Sequence, residues 1–281
     1  MKKETYIRIT SGTLAILMFI GGYVLKKTPE PNENFVAYEN QTTTLPKDKD
    51  IKIDDTKELD EYLGYSHVTL EDVYEAIDAN DNLSIEESNL TKHLAHGILE
   101  KYPNYDLRVY YENIKRGLFF EVLTKEEYDE KYPNCGIAHF NAKDRRISII
   151  EGADDKTKYH ELGHATWSFD WDIDGVRLRR EENIDSFIEA MNNRLIEAVT
   201  DDKSYSAESA SLDILSAFVP SFTIQEYSKT GLTNLIDNLI VEFGGKANIV
   251  LSHIQEITYK NRYGNSNISL KDHPVLIDEL F

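Results

Sequence analysis

A chain of 281 residues with 41% apolar content is long enough for one large or two modest domains with a real core. Its 50 Asp and Glu against 31 Lys and Arg give a formal net charge of −19, which argues against nonspecific binding to nucleic acid or to an anionic membrane surface. Cys135 is the only cysteine, so an internal disulfide and a thiolate cluster around a metal are both excluded, and its sequence neighbours offer nothing to activate it as a nucleophile.

Ile9 to Leu25 is a continuous, charge-free and mostly apolar run, preceded by Lys2, Lys3 and Arg8 and followed by Lys26 and Lys27. As a helix it covers roughly 25 Å, a length open to either a signal peptide or an uncleaved anchor. Gly21-Gly22-Tyr23-Val24-Leu25 lacks the small-residue pattern of a cleavage site, which favours the anchor. Residues 1–8 are then a short cytoplasmic tail and 9–25 a single-pass transmembrane helix. The chain beyond residue 25 lies outside the cytoplasm, or is secreted if the segment is removed. Residues 26–66, rich in Pro, Asn, Thr, Lys and Asp, read as a flexible linker in which Glu58 to Leu63 can form a short helix.

The folded region is expected over 67–281. Thr69 caps a helix running to about Asn80, and Ser84 with Glu87 forms a capping box for a second. Leu107 to Tyr111 and Gly117 to Leu123 carry the aromatic and β-branched content of strands, and Thr124 with Glu127 caps another short helix. Gly136 to Phe140 and Arg146 to Ile150 flank a turn-forming loop and predict a β-hairpin just ahead of a helix capped by Asp154 or Asp155. Helical patterning continues over Ile184 to Asp201, Ala207 to Phe218, Leu232 to Phe243 and Asn248 to Tyr259. The class is α+β, with a small mixed sheet first and a mostly helical C-terminal lobe.

The chemistry concentrates in Tyr159-His160-Glu161-Leu162-Gly163-His164-Ala165. Residues four apart on a helix share a face, so His160 and His164 can aim their imidazoles at one point. Such a pair suits Zn2+, whose catalytic sites take three protein ligands and leave a place for water. Glu161 lies beside that water as a general base. For the third ligand the best candidate is Glu197, because Asp201 stands four residues later and can accept the free imidazole N–H of a ligand histidine. Glu189 is the rival ligand, without an acid at the matching later position.

These residues resemble those of the gluzincins, the zinc peptidases that include the thermolysin-like enzymes. The resemblance implies a zincin-like domain in which a mixed sheet packs on the motif helix and a second helix brings in the glutamate. It implies His160, His164 and Glu197 as metal ligands, Glu161 as catalytic base and Asp201 as the acceptor behind a ligand. It also implies that the strand Gly136 to Phe140 is the edge along which an extended peptide or protein substrate is laid. Trp167 to Arg180 reads as an inserted, charged and aromatic loop that lengthens the gap to Glu197. Tyr205 and His253 are candidates for the oxyanion donor, while His93, His96 and His139 read as structural. The expected function is a membrane-anchored or secreted zinc endopeptidase with no nucleic-acid partner. The alternatives are an intracellular regulatory metallopeptidase and a noncatalytic surface module with a structural zinc site.

Overall fold

Several helix starts are fixed by a hydroxyl residue with an acid three positions on. Thr69 Oγ1 accepts from Asp72 N–H (3.2 Å) while Asp72 accepts in return from Thr69 N–H (2.7 Å), and the pairs Ser84 with Glu87 and Thr124 with Glu127 repeat the arrangement. The computed structural model describes residues 50–133, 135–180, 185–200, 223–231 and 233–247, with 209, 212 and 219 between them, all in one unit spanning Lys47–Ala247. The apolar run at 9–25 and the helix expected over Asn248 to Tyr259 lie outside the described residues, as does most of the helix expected over Ala207 to Phe218. No helix among the described residues is long and apolar enough to cross a membrane.

The three capped helices are α2 (Leu70–Asp78), α3 (Ile85–Lys101) and α5 (Lys125–Lys131). Between them stands α4 (Arg108–Lys115), where a strand is expected over Leu107 to Tyr111. Its valine and tyrosines favour a strand locally, but four-residue helical spacing buries Tyr110 and Ile114 in one core while Val109 is buried in another, and that packing overrides the propensity. A first mixed sheet is built from β2 (Phe119–Leu123), β3 (Ala138–Asn141) and β4 (Arg146–Ile150), in the order β2-β4-β3. β4 is central, parallel to β2 and antiparallel to β3, so β3 is an edge strand among the described residues. The β3–β4 hairpin forms where expected, its turn held by Asn141 Oδ1 accepting from the N–H groups of Lys143 and Asp144.

The segment Trp167 to Arg180, expected as a loop, is a second hairpin: β5 (Asp170–Ile173) and β6 (Val176–Arg179). Asp174 and Gly175 both have positive φ (52° and 80°), the geometry of a tight two-residue hairpin turn, and Asp172 Oδ1 accepts from Gly175 N–H. The linker expected over 26–66 also differs. Residues 50–63 carry β1 (Asp50–Lys52), a 3-10 turn and α1 (Asp60–Leu63), and β1 adds to β6 in parallel register. Ile53 and Leu59 are fully buried with Val109, Phe169, Trp171 and Leu178 in a second core. Arg108, itself buried, gathers Asp106 (2.8 Å), Thr56 Oγ1 (2.9 Å) and Asp60 to the same place. A three-residue strand whose partner lies 127 positions away leaves no local periodicity to detect.

The main core joins Val73, Ile77, Leu94 and Ile98 of α2 and α3 to Ile147 and Ile149 of β4 and to Leu162 and Ala165 of the motif helix α6 (Asp155–Ala165). A fully buried leucine of this kind contributes on the order of 1.5–3 kcal/mol. Beyond the second hairpin lie α7 (Asp185–Ile196), α8 (Ile224–Thr230) and α9 (Thr233–Phe243). The described part is thus α+β with two small mixed sheets.

On the sheet face beneath α5, Glu121 accepts hydrogen bonds from Lys131 Nζ (2.6 Å), Tyr132 Oη (2.7 Å) and Ser148 Oγ (3.0 Å). Burial works against the charge, but these donors outweigh it and hold the carboxyl down at about 2. A folded-state value below the unfolded one gives stability that is complete above the unfolded value of about 4.3 and is lost as pH falls toward the folded value. Glu121→Gln is therefore expected to lower stability by about 1.5–3 kcal/mol at neutral pH. The gap to wild type should close as melting is followed from pH 5 down to about 2; a gap independent of pH would assign the loss to packing.

Candidate metal centre

The motif helix is held at both ends before its histidines matter. Asp154 caps it, with Oδ1 accepting from the N–H (2.9 Å) and hydroxyl (2.8 Å) of Thr157. At the other end the fully buried Asn113 of α4 donates to the carbonyls of Ala165 (2.8 Å) and Ser168 (2.9 Å) and accepts from Trp171 Nε1 (2.9 Å). The terminal carbonyl of Ala165, which the helix itself leaves unpaired, is thereby satisfied, and the helix is locked to the second hairpin. Tyr159, next to the first histidine, bonds through Oη to His93 Nδ1 of α3 (2.9 Å).

Helical spacing brings the two imidazoles together as expected: His160 Nε2 and His164 Nε2 are 3.2 Å apart. The acid that meets them is Glu189 of α7, with Oε2 2.9 Å from His160 Nε2 and 3.8 Å from His164 Nε2. His160, His164 and Glu189 offer three donor atoms that all lie within 4.8 Å of one another, with His160 buried and the other two partly open to solvent. This is the one group of its kind among the described residues, and it can hold a metal ion.

Glu197 is not part of it. Its carboxylate is 3.3 Å from Arg194 Nη1 and 3.7 Å from Lys101 Nζ, and its backbone lies past the end of α7 at Ile196. Eight residues of helix separate it from Glu189, a displacement of about 12 Å along the axis and roughly 80° around it, so the two acids cannot serve one ion. The acid that the structure brings to the two imidazoles is therefore Glu189, where Glu197 is expected. Asp201, Tyr205 and His253 lie outside the described residues.

Glu161 is buried against the sheet. Burial pushes its carboxyl up to about 7; the neighbouring His160 pulls it down, Glu189 raises it, and the backbone N–H of Phe140 lowers it by donating a hydrogen bond. Phe140 is free to donate because of the strand register. In the β3–β4 ladder Ile150 N–H bonds Ile137 O, so residues 137, 139 and 141 face β4 and residues 138 and 140 face the open edge. His139 bonds through Nδ1 to Tyr128 Oη (2.9 Å) and sits edge-on to Tyr132, which fixes the strand from the face opposite the motif helix. On the other side His164 packs against Trp167, and Trp167 against the buried Tyr227 of α8.

Compared with models of protein families, with curated proteins and with solved structures, the chain matched none.

Proposed function

We propose that this chain is a zinc-dependent peptidase in which His160, His164 and Glu189 hold the ion and Glu161 is the general base. The observation that carries the reading is the meeting of two imidazoles from one helix with a carboxylate from another, beside a second, buried carboxylate that is not one of the three donors. Two nitrogens and one carboxylate oxygen are the donor set of a catalytic zinc site. An ion with tetrahedral bonds of about 2.0–2.1 Å has ligand-to-ligand edges of about 3.3 Å. The three separations of 2.9, 3.2 and 3.8 Å bracket that value.

Zinc bound there would lower the pKa of a water from about 15.7 to about 7 and polarise a carbonyl oxygen. The chain's own residues supply the rest. Glu161, aimed by Phe140 N–H, takes a proton from the attacking water and can return it to the leaving amine. The open edge of β3 suits an extended peptide, whose backbone would pair with the outward N–H and carbonyl of residue 138 and the outward carbonyl of residue 140. In this reading the substrate is a peptide or protein segment outside the cytoplasm, with residues 9–25 as the anchor. A noncatalytic zinc module has no use for a buried carboxylate beside the ligands, which is why the catalytic reading is preferred. Full-length protein is expected to purify with one zinc per chain, to cleave members of a peptide library, and to lose cleavage on chelation and regain it with added zinc. Cleavage that persists after complete zinc removal would defeat the proposal.

A further inference from the structure

Two helices must keep their spacing if three donors are to share one ion, because a metal site tolerates only about 0.2 Å of error in its ligand distances. The contact that sets this spacing lies one turn from the ligands. Asn192 of α7, fully buried, donates from Nδ2 to the backbone carbonyl of His160 at 2.8 Å. That carbonyl also accepts the helix bond of the motif helix, so the asparagine uses its second lone pair and ties the backbone of one ligand residue to the helix carrying another. Asn192 Oδ1 meets no donor among the described residues, so the bond to His160 is the polar contact the side chain makes.

The helices touch at the same place. A Cβ on Gly163, the residue just before His164, would lie 2.1 Å from Asn192 Oδ1 and 2.9 Å from Ile196 Cγ2. The motif helix thus presents bare backbone to Asn192, and the glycine and asparagine are complementary in shape. Asn192 stands three positions after Glu189 and Gly163 three after His160, so each contact residue shares a helix face with a ligand.

We infer that Asn192 is a positioning residue: its hydrogen bond to the His160 carbonyl, over Gly163, sets the separation of the two ligand-bearing helices and thereby the affinity for zinc. The inference rests on the zinc reading above. Asn192→Asp keeps the shape, removes the donor and sets a negative oxygen against a carbonyl. Asn192→Ala removes the hydrogen bond without adding charge and keeps Gly163, where a methyl group would press on Ile196 Cγ2.

The test measures the zinc dissociation constant of full-length wild type and both variants by competition with a chromophoric chelator, alongside melting of the metal-free proteins. Each variant is expected to bind zinc roughly 10–100-fold more weakly, the usual effect of removing a group that orients a ligand. A residue that only packs the core would lower melting and leave zinc affinity unchanged; wild-type affinity in the variants overturns the inference and leaves the zinc reading standing. If Asn192→Asp does not fold, Asn192→Ala decides alone. Wild type that takes up no zinc would remove the zinc reading and this inference together.

Discussion

Replacing Glu161 with glutamine is expected to lower peptide cleavage by roughly 10²–10⁴-fold, the range that a positioned acid–base group contributes. Zinc content should stay at wild-type level, because Glu161 is not among the three donor atoms that come together. The substitution is nearly isosteric, and its carboxamide oxygen can still accept from Phe140 N–H, so the helix and strand should remain in place. What disappears is the ability to take a proton. The loss should therefore fall on kcat more than on KM. Cleavage at wild-type rate by a zinc-loaded Glu161→Gln protein would take Glu161 out of the mechanism. Loss of zinc in this variant would instead make Glu161 a ligand or a support for one.

Glu189→Gln and Glu197→Gln are expected to separate cleanly. Removing the charged oxygen that lies 2.9 Å from His160 Nε2 should weaken zinc binding by more than about 100-fold, since even groups behind the ligands cost roughly 10–100-fold. Cleavage should fall with it at limiting zinc. Glu197→Gln removes ion pairs with Arg194 and Lys101 at a partly exposed site, contacts of the kind worth about 0–1 kcal/mol, and should leave zinc affinity unaltered. Chelator competition on the two variants reads this directly. The reverse pattern, with Glu197 essential and Glu189 dispensable, would restore the assignment expected from the acid pair Glu197 and Asp201.

Features encoded within a few residues were legible in the sequence. The capping pairs at Thr69, Ser84 and Thr124, the Asp154 cap and the β3–β4 hairpin each depend on close sequence neighbours, and each stands where the spacing places it. The histidine pair belongs to the same class, because one helical turn is enough to bring the rings together. Choosing the third donor was a different problem. Both Glu189 and Glu197 belong to one helical stretch, and the pairing of Glu197 with Asp201 favoured the later acid. The decision lies in which turn of α7 meets the motif helix, and that is set at Asn192 and Gly163 by tertiary contact.

The second hairpin carried a local signal that the expected loop overrode: Asp174-Gly175 between short alternating segments is a tight-turn sequence. Trp167 to Arg180, rich in aromatic and charged residues, resembled an insertion, yet Trp171 and Leu178 are core residues and Arg177 with Asp170 forms an exposed cross-strand pair. β1 had no such signal. Its place is set by β6 and by the burial of Ile53 and Leu59, which only the folded chain supplies.

Whether two helices deliver three named donors to one zinc ion can be read from an anomalous-scattering map of crystals measured on either side of the zinc edge. A single strong peak is expected within about 2.0–2.2 Å of His160 Nε2, His164 Nε2 and a carboxylate oxygen of Glu189. A zinc-loaded crystal with its peak elsewhere, or with Glu189 turned away and a different side chain on the ion, would contradict it.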